Sequence, residues 1–162
     1  MMGRRLWQVL PVAGLVVLLD QLSKIYIDRT FQLYESRPVI ENFFHLTYVR
    51  NQGAAFGLFA DKAFRVPLLV TVALLAVLGI FWYLKQLEGH QGDQQVGLSL
   101  VLGGAVGNLI DRLRLGAVID FLDLHWRSYH WPAFNVADMA ICVGVGLLLI
   151  GIWRSERRSA RP

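Results

Sequence analysis

Four windows of about 20 largely apolar residues, approximately 6–27, 66–84, 96–115 and 133–153, constrain this chain more than any other feature of it. A helix needs roughly 20 such residues to cross about 30 Å of hydrocarbon. The composition agrees: 55% of the 162 residues are hydrophobic, 17% are charged, and the mean hydropathy is +0.45, beyond the apolar share of a soluble domain. The expected fold class is therefore an all-α membrane protein with four transmembrane helices in a single domain, 1–162.

The first window follows Arg4 and Arg5, as the apolar region of a cleaved secretory signal would. It continues without a small-residue cleavage site into Asp20-Gln21-Leu22-Ser23-Lys24, so it is expected to stay as an anchor. Cys142 is the only cysteine; it lies in the fourth window, forms no internal disulfide, and reads as packing material.

A net charge of +4 and a pI near 9.6 would also suit a nucleic-acid binder, but the charges cluster at the ends of the apolar windows. With four spans both termini share a side. That side holds Arg4, Arg5, Lys85, Arg154, Arg157, Arg158 and Arg161, seven basic residues in about 26, against nine in about 65 on the other side with its helix ends. The positive-inside rule then puts both termini in the cytoplasm and the two longer connections outside. The outward connection at about 31–60 is rich in β-branched and aromatic residues over 39–49, which predicts a small β-rich cradle. The small residues of Asn51-Gln52-Gly53-Ala54-Ala55-Phe56-Gly57 after it suit a turn or a close backbone approach. Gly103 and Gly107 share one face of the third helix and allow close packing, and Gly144, Gly146 and Gly151 read the same way in the fourth.

Ionisable side chains inside a bilayer cost at least ~2.5 kcal/mol each, so every one asks for a partner or a function. Asp20 and Lys24 lie four apart on one helical face and can pair with each other. Ser23 and Lys24 diverge by about 100° around the helix, which excludes a serine–lysine nucleophile pair. His45, His90, His125 and His130 show no metal-binding spacing along the chain, so neither a zinc site nor any other metal or cofactor is expected. Asp138 stands apart: it lies three residues from Asn135 near the start of the fourth helix, with no basic residue within a helical turn.

Two carboxylates held close cannot both ionise easily, so one keeps its proton and the pair supplies an acid and a base. Asp111 and Asp120 are both candidate partners for Asp138. Arg112 and Arg114 are at hand to neutralise Asp111, whereas Ile119 and Phe121 flank Asp120 with apolar surface that raises a carboxyl pKa. This favours Asp120.

Five blocks in order, Asp20-Gln21-Leu22-Ser23-Lys24, Asn51-Gln52-Gly53-Ala54-Ala55-Phe56, Gly103 through Arg112, Val118-Ile119-Asp120-Phe121 and Phe134-Asn135-Val136-Ala137-Asp138, resemble lipoprotein signal peptidase, signal peptidase II. The resemblance implies an aspartyl endopeptidase of the bacterial inner membrane that removes the signal peptide of diacylglyceryl-modified prolipoproteins, cutting before the lipidated cysteine. It assigns catalysis to Asp120 and Asp138, and substrate-binding or site-supporting roles to Asp20, Lys24, Asn51, Gly53, Asn108, Asp111, Arg112 and Asn135. The implied partners are the lipidated substrate and membrane lipid; no nucleic acid is expected, and the chain is expected to act as a monomer. Intramembrane carboxylates also mark ion-coupled carriers, but no inverted repeat or pair of interrupted helices accompanies them here. A purely structural subunit would use the aspartates only to pair with Arg50, Arg112 and Arg114.

Overall fold

A computed structural model describes residues 2–53, 62–87, 92–126 and 129–159. Four helices, α1 (Met2–Thr30), α2 (Lys62–Gln86), α3 (Gly92–Leu115) and α4 (Val136–Ser159), carry the four apolar windows, and each is long and apolar enough to cross a membrane. The elements run a few residues beyond the apolar windows because polar residues can continue a helix where it leaves hydrocarbon. Only α4 starts later than its window, at Val136 rather than 133.

The bundle is built around α3. Over its apolar span 56% of the residues are buried, against 11% for α2, so α3 is enclosed by its neighbours while α2 leaves Leu74, Leu75 and Leu78 facing outward. Side chains of this kind on α1, α2 and α4 form an apolar exterior that only hydrocarbon would solvate comfortably. One cluster, including Val9, Ala13, Ile80, Leu84, Leu98 and Leu102, joins α1, α2 and α3.

Close approach explains most of the helical glycines. A Cβ at Gly103 would meet the Ala13 carbonyl oxygen at 2.8 Å, and one at Gly107 would meet Asp20 Oδ2 at 2.5 Å; both therefore clear the path of α1. Gly146 has open space beside it, so packing does not account for that residue. Cys142 is exposed on α4, which corrects its reading as internal packing material.

The β structure is larger than the first connection. Strands β1 (Ser36–Ile40) and β2 (Phe44–Asn51) come from the link after α1, while β3 (Val118–Trp126) and β4 (Tyr129–His130) come from the link between α3 and α4. They pair antiparallel in the order β1-β2-β3-β4. The expected cradle at 31–60 thus supplies only half of the sheet, and residues 54–61 lie outside the described residues. The sheet is seated on the bundle by Ile27 of α1 and by Phe31 just after it, which pack with Tyr48, Ile119 and Phe121.

Candidate active site

The helix does not continue into Asp120. α3 stops at Leu115, where Gly116 takes a φ of +66° and donates its N–H to the Arg112 carbonyl, a left-handed ending that glycine adopts without a Cβ penalty. The chain then turns into β3, whose alternation sends Ile119 and Phe121 to the face opposite Asp120. Those two apolar neighbours are buried with Tyr48 on their own side, so Asp120 owes its burial to the groups on its other side.

Those groups are brought by strand register and by one bridge. Val49 pairs with Asp120 and Asn51 with Val118, so Asn51 and Asp120 are diagonal neighbours on one face; Asn51 Nδ2 donates to Asp120 Oδ2 at 2.9 Å. The amides of Phe121 and Leu122 both donate to the Phe134 carbonyl, at 3.0 and 2.8 Å, which pins the start of α4 beside β3. Asn135 follows at once, and its Nδ2 donates to Asp120 Oδ1 at 2.7 Å.

Asp138 is the third residue of α4, closer to the helix start than the sequence window placed it. The Asn135 side-chain oxygen accepts from the Asp138 N–H at 3.0 Å, and Asp138 Oδ2 accepts from the Asn135 N–H at 3.3 Å, a reciprocal cap of the kind that opens helices. The second helical N–H, from Ala137, goes to Asp20 Oδ1 at 2.9 Å. Asp138 Oδ1 accepts from Asn108 Nδ2 at 2.8 Å. Both aspartates are thus held by asparagines, and Asn135 touches each of them.

Beneath them is a buried ionic layer. Lys24 Nζ lies 2.8 Å from Asp20 Oδ2 and 3.0 Å from Asp111 Oδ2, and donates to Asn108 Oδ1 at 3.0 Å. All three residues it contacts sit within a bundle where Lys24, Asp20 and Asp111 are each almost fully buried. Three ammonium hydrogens thereby meet three acceptors. The contact also sets the Asn108 amide: with Oδ1 receiving from Lys24 and from Asn135 Nδ2 at 3.3 Å, its Nδ2 is the end presented to Asp138. Asp111 is therefore the partner of Lys24, not of Arg112 or Arg114 as its sequence neighbours predict, and its Oδ2 also accepts from the Ile119 N–H at 3.1 Å, anchoring β3. Arg112 instead donates to the Asn108 carbonyl at 3.3 Å, and Arg114 reaches Gln21.

Gly53 closes the rim. Its N–H donates to Asn51 Oδ1 at 2.8 Å, its φ is +79°, and a Cβ there would come 2.5 Å from Leu69 Cδ1. Gln21 is the site residue that the sequence reasoning passed over. Its Nε2 donates to Asp20 Oδ2, Asp111 Oδ1 and the Gly107 carbonyl at 3.1–3.2 Å, and the only sequence signal was its place between Asp20 and Lys24.

Electrostatics separates Asp120 from an ordinary surface carboxylate. Burial, with a smaller contribution from the charge of Asp138, pushes its pKa from 3.8 up to about 6, against the hydrogen bonds from Asn51 and Asn135 that pull it down. A carboxyl that keeps its proton toward neutrality beside a second carboxylate can donate to an oxyanion while its neighbour accepts.

Comparisons with known proteins give the family. The family model for signal peptidase (SPase) II matches residues 12–154. A lipoprotein signal peptidase of Syntrophotalea carbinolica is 55% identical over 93% of this chain and 93% of its own, and one of Geobacter sulfurreducens is 50% identical over 96% of both. A solved structure described as a bacterial membrane enzyme superposes with a TM-score of 0.84 at 30% identity, covering 96% of this chain and 93% of the other. In sequence and in backbone path, over nearly its whole length, the chain belongs to the signal peptidase II family of peptidases.

Proposed function

We propose that this protein is an intramembrane aspartyl endopeptidase that removes the signal peptide from diacylglyceryl-modified prolipoproteins, with Asp120 and Asp138 as its catalytic pair. The observation that carries the reading is the bracketing of both carboxylates by one residue, Asn135, on the sheet side of a buried ionic layer. Such a layer orients the pair without taking part in the chemistry.

In this mechanism Asp120 holds the shared proton and Asp138 accepts a proton from a water. The water oxygen attacks the scissile carbonyl carbon while Asp120 donates to the carbonyl oxygen, giving a tetrahedral diol. Asp138 then gives its proton to the leaving nitrogen while a diol hydroxyl returns a proton to Asp120, and the C–N bond breaks as the new carbonyl forms. Asn108 and Asn135 keep the carboxylates in register through both transfers, and Lys24 keeps Asn108 from flipping. No step requires a metal or a covalent acyl intermediate.

The charge asymmetry along the chain supports cytoplasmic termini, which would set the sheet and the pair at the outer face of the bacterial inner membrane. The chain acts there as a single domain and a monomer. Trp126, Tyr129 and Trp131 are exposed at the end of the sheet and suit the headgroup level, where aromatic residues gather. The lipid on the substrate cysteine then fixes the depth of the scissile bond and lowers the entropic cost of alignment.

The test is cleavage of a prolipoprotein by purified protein in detergent, with and without the diacylglyceryl group and with EDTA. Cleavage before the lipidated cysteine, dependent on the lipid and with an initial rate unchanged by EDTA, is the expected result. Cleavage that ignores the lipid, or an initial rate abolished by EDTA, contradicts the reading.

A further inference from the structure

The far end of the sheet carries a second cluster of chemically active side chains. His45 on β2 pairs across the ladder with Asp123 on β3, and His125 on β3 pairs with His130 on β4. Asp123 and His125 are two apart on one strand, so all four project from the same face. Five residues of extended strand, about 3.3 Å each, separate Asp120 from His125, so this cluster is not part of the catalytic pair.

Its geometry is that of a ligand set. One donor atom from each of His45, Asp123 and His125 lies within 4.8 Å of the other two. The His45 and His125 rings meet edge to face with centroids 4.4 Å apart, and His130 stacks on His125 at 4.7 Å. Supporting hydrogen bonds are already made. Ser36 Oγ engages His45 Nδ1 at 3.2 Å, leaving Nε2 for another partner, and His130 Nδ1 holds Asp123 Oδ1 at 3.1 Å. Contacts of this kind orient imidazole and carboxylate ligands around an ion.

An independent observation points to a missing partner. His125 is 8% exposed, and its Nδ1 is buried with no hydrogen-bond partner among the described residues. Buried polar atoms are rarely left so, because the lost hydration is not replaced.

We propose that His45, Asp123 and His125 form a binding site for a divalent transition-metal ion of the zinc class, with His130 orienting Asp123. Two imidazoles and one carboxylate suit zinc, cobalt or nickel and not the oxygen-preferring calcium or magnesium. Bonds of about 2.0–2.2 Å require the side chains to close in by rotation, while the strands keep their register. The ion ties β2 to β3 at the open end of the sheet and serves stability, not bond cleavage. Spacing along the chain conceals the site, since β2 and β3 lie on either side of two spans and only strand pairing joins them.

The test uses the full chain in detergent without a histidine tag, titrated with Co²⁺ and then Zn²⁺. Expected are one Co²⁺ per chain with visible absorption bands of a four- or five-coordinate site, displacement by Zn²⁺, and a higher Tm with Zn²⁺ than with EDTA. His45→Gln, His125→Gln and Asp123→Asn each weaken binding by about tenfold or more, whereas His90→Gln, in the link between α2 and α3, leaves it unchanged. The melting of each variant in EDTA establishes that it is folded, and His45→Gln, at a half-buried position, carries the test if the buried His125→Gln does not fold. Absence of one-to-one binding in the wild-type chain, or binding undiminished in the folded ligand variants, overturns the proposal and leaves a hydrogen-bonded histidine cluster only.

Discussion

Asn135 and Asp138 cap one another: the side-chain oxygen of Asn135 accepts the Asp138 N–H at 3.0 Å, while Asp138 Oδ2 accepts the Asn135 N–H at 3.3 Å. One device thus opens α4 and aims a carboxylate. The Asn135 side-chain amide donates to Asp120 and Asn108, so in the proposed mechanism stability and catalysis run through the same residue and can be separated by substitution. Asn135→Ser keeps a capping oxygen but loses the amide, and Asn135→Ala loses both. The expected outcome is a loss of about 1 kcal/mol in stability for alanine and only a few tenths for serine. Both variants should lose about 10²-fold in kcat, checked by melting and by cleavage kinetics.

Lys24 is the shared ion-pair partner of two buried carboxylates. Lys24→Met leaves Asp20 and Asp111 buried with no counter-ion, which costs about 3–5 kcal/mol. Adding Asp20→Asn and Asp111→Asn removes those charges, so the triple variant should regain much of that stability. It should stay slow, because only the longer 3.3 Å contact from Asn135 Nδ2 then holds Asn108 Oδ1 away from Asp138. Denaturation and cleavage of the single and triple variants check both statements.

The pH dependence follows from Asp120. Its pKa is raised on folding from 3.8 to about 6, so between those values the folded chain binds a proton that the unfolded chain releases, and stability falls as pH rises through that window. At ~1.36 kcal/mol per pKa unit the loss is about 3 kcal/mol. Asp120→Asn should lack it, as melting from pH 4 to pH 7 would reveal.

In the proposed mechanism, activity depends on the same group. Loss of the Asp120 proton leaves two carboxylates and no acid, so kcat/KM of the free enzyme should decline above about pH 6. The Asn51 hydrogen bond pulls the Asp120 pKa down, and Asn51→Ala should therefore move this alkaline limb to higher pH. A pH–rate profile of the variant with an unmoved limb contradicts the link.

How much of this was legible beforehand depended on whether the cause was local. The four spans can be read because length and apolarity are properties of a segment, and Asp138 stands out because no basic residue lies within a helical turn of it. Asp111 was matched to Arg112 and Arg114 because they are adjacent, whereas its partner Lys24 is on another helix and is reached only through the bundle. Half of the sheet was missed for a similar reason. The run after Leu115 follows a helix without a polar break, and only the φ of Gly116 and pairing with β2 make it a strand. The Asn108 amide orientation is likewise invisible along the chain, since Lys24 and Asn135 set it from two other elements.

In the proposed mechanism Asp120 and Asp138 act as one acid–base pair. The most direct measurement of this pairing is single-turnover cleavage of a diacylglyceryl-modified prolipoprotein by Asp120→Asn, Asp138→Asn and the double variant, each confirmed to be folded. Either single change is expected to remove cleavage almost entirely, and the double variant to be no slower than the singles, because groups that work as a unit do not lose rate additively. Substantial cleavage by either single variant would contradict the pairing.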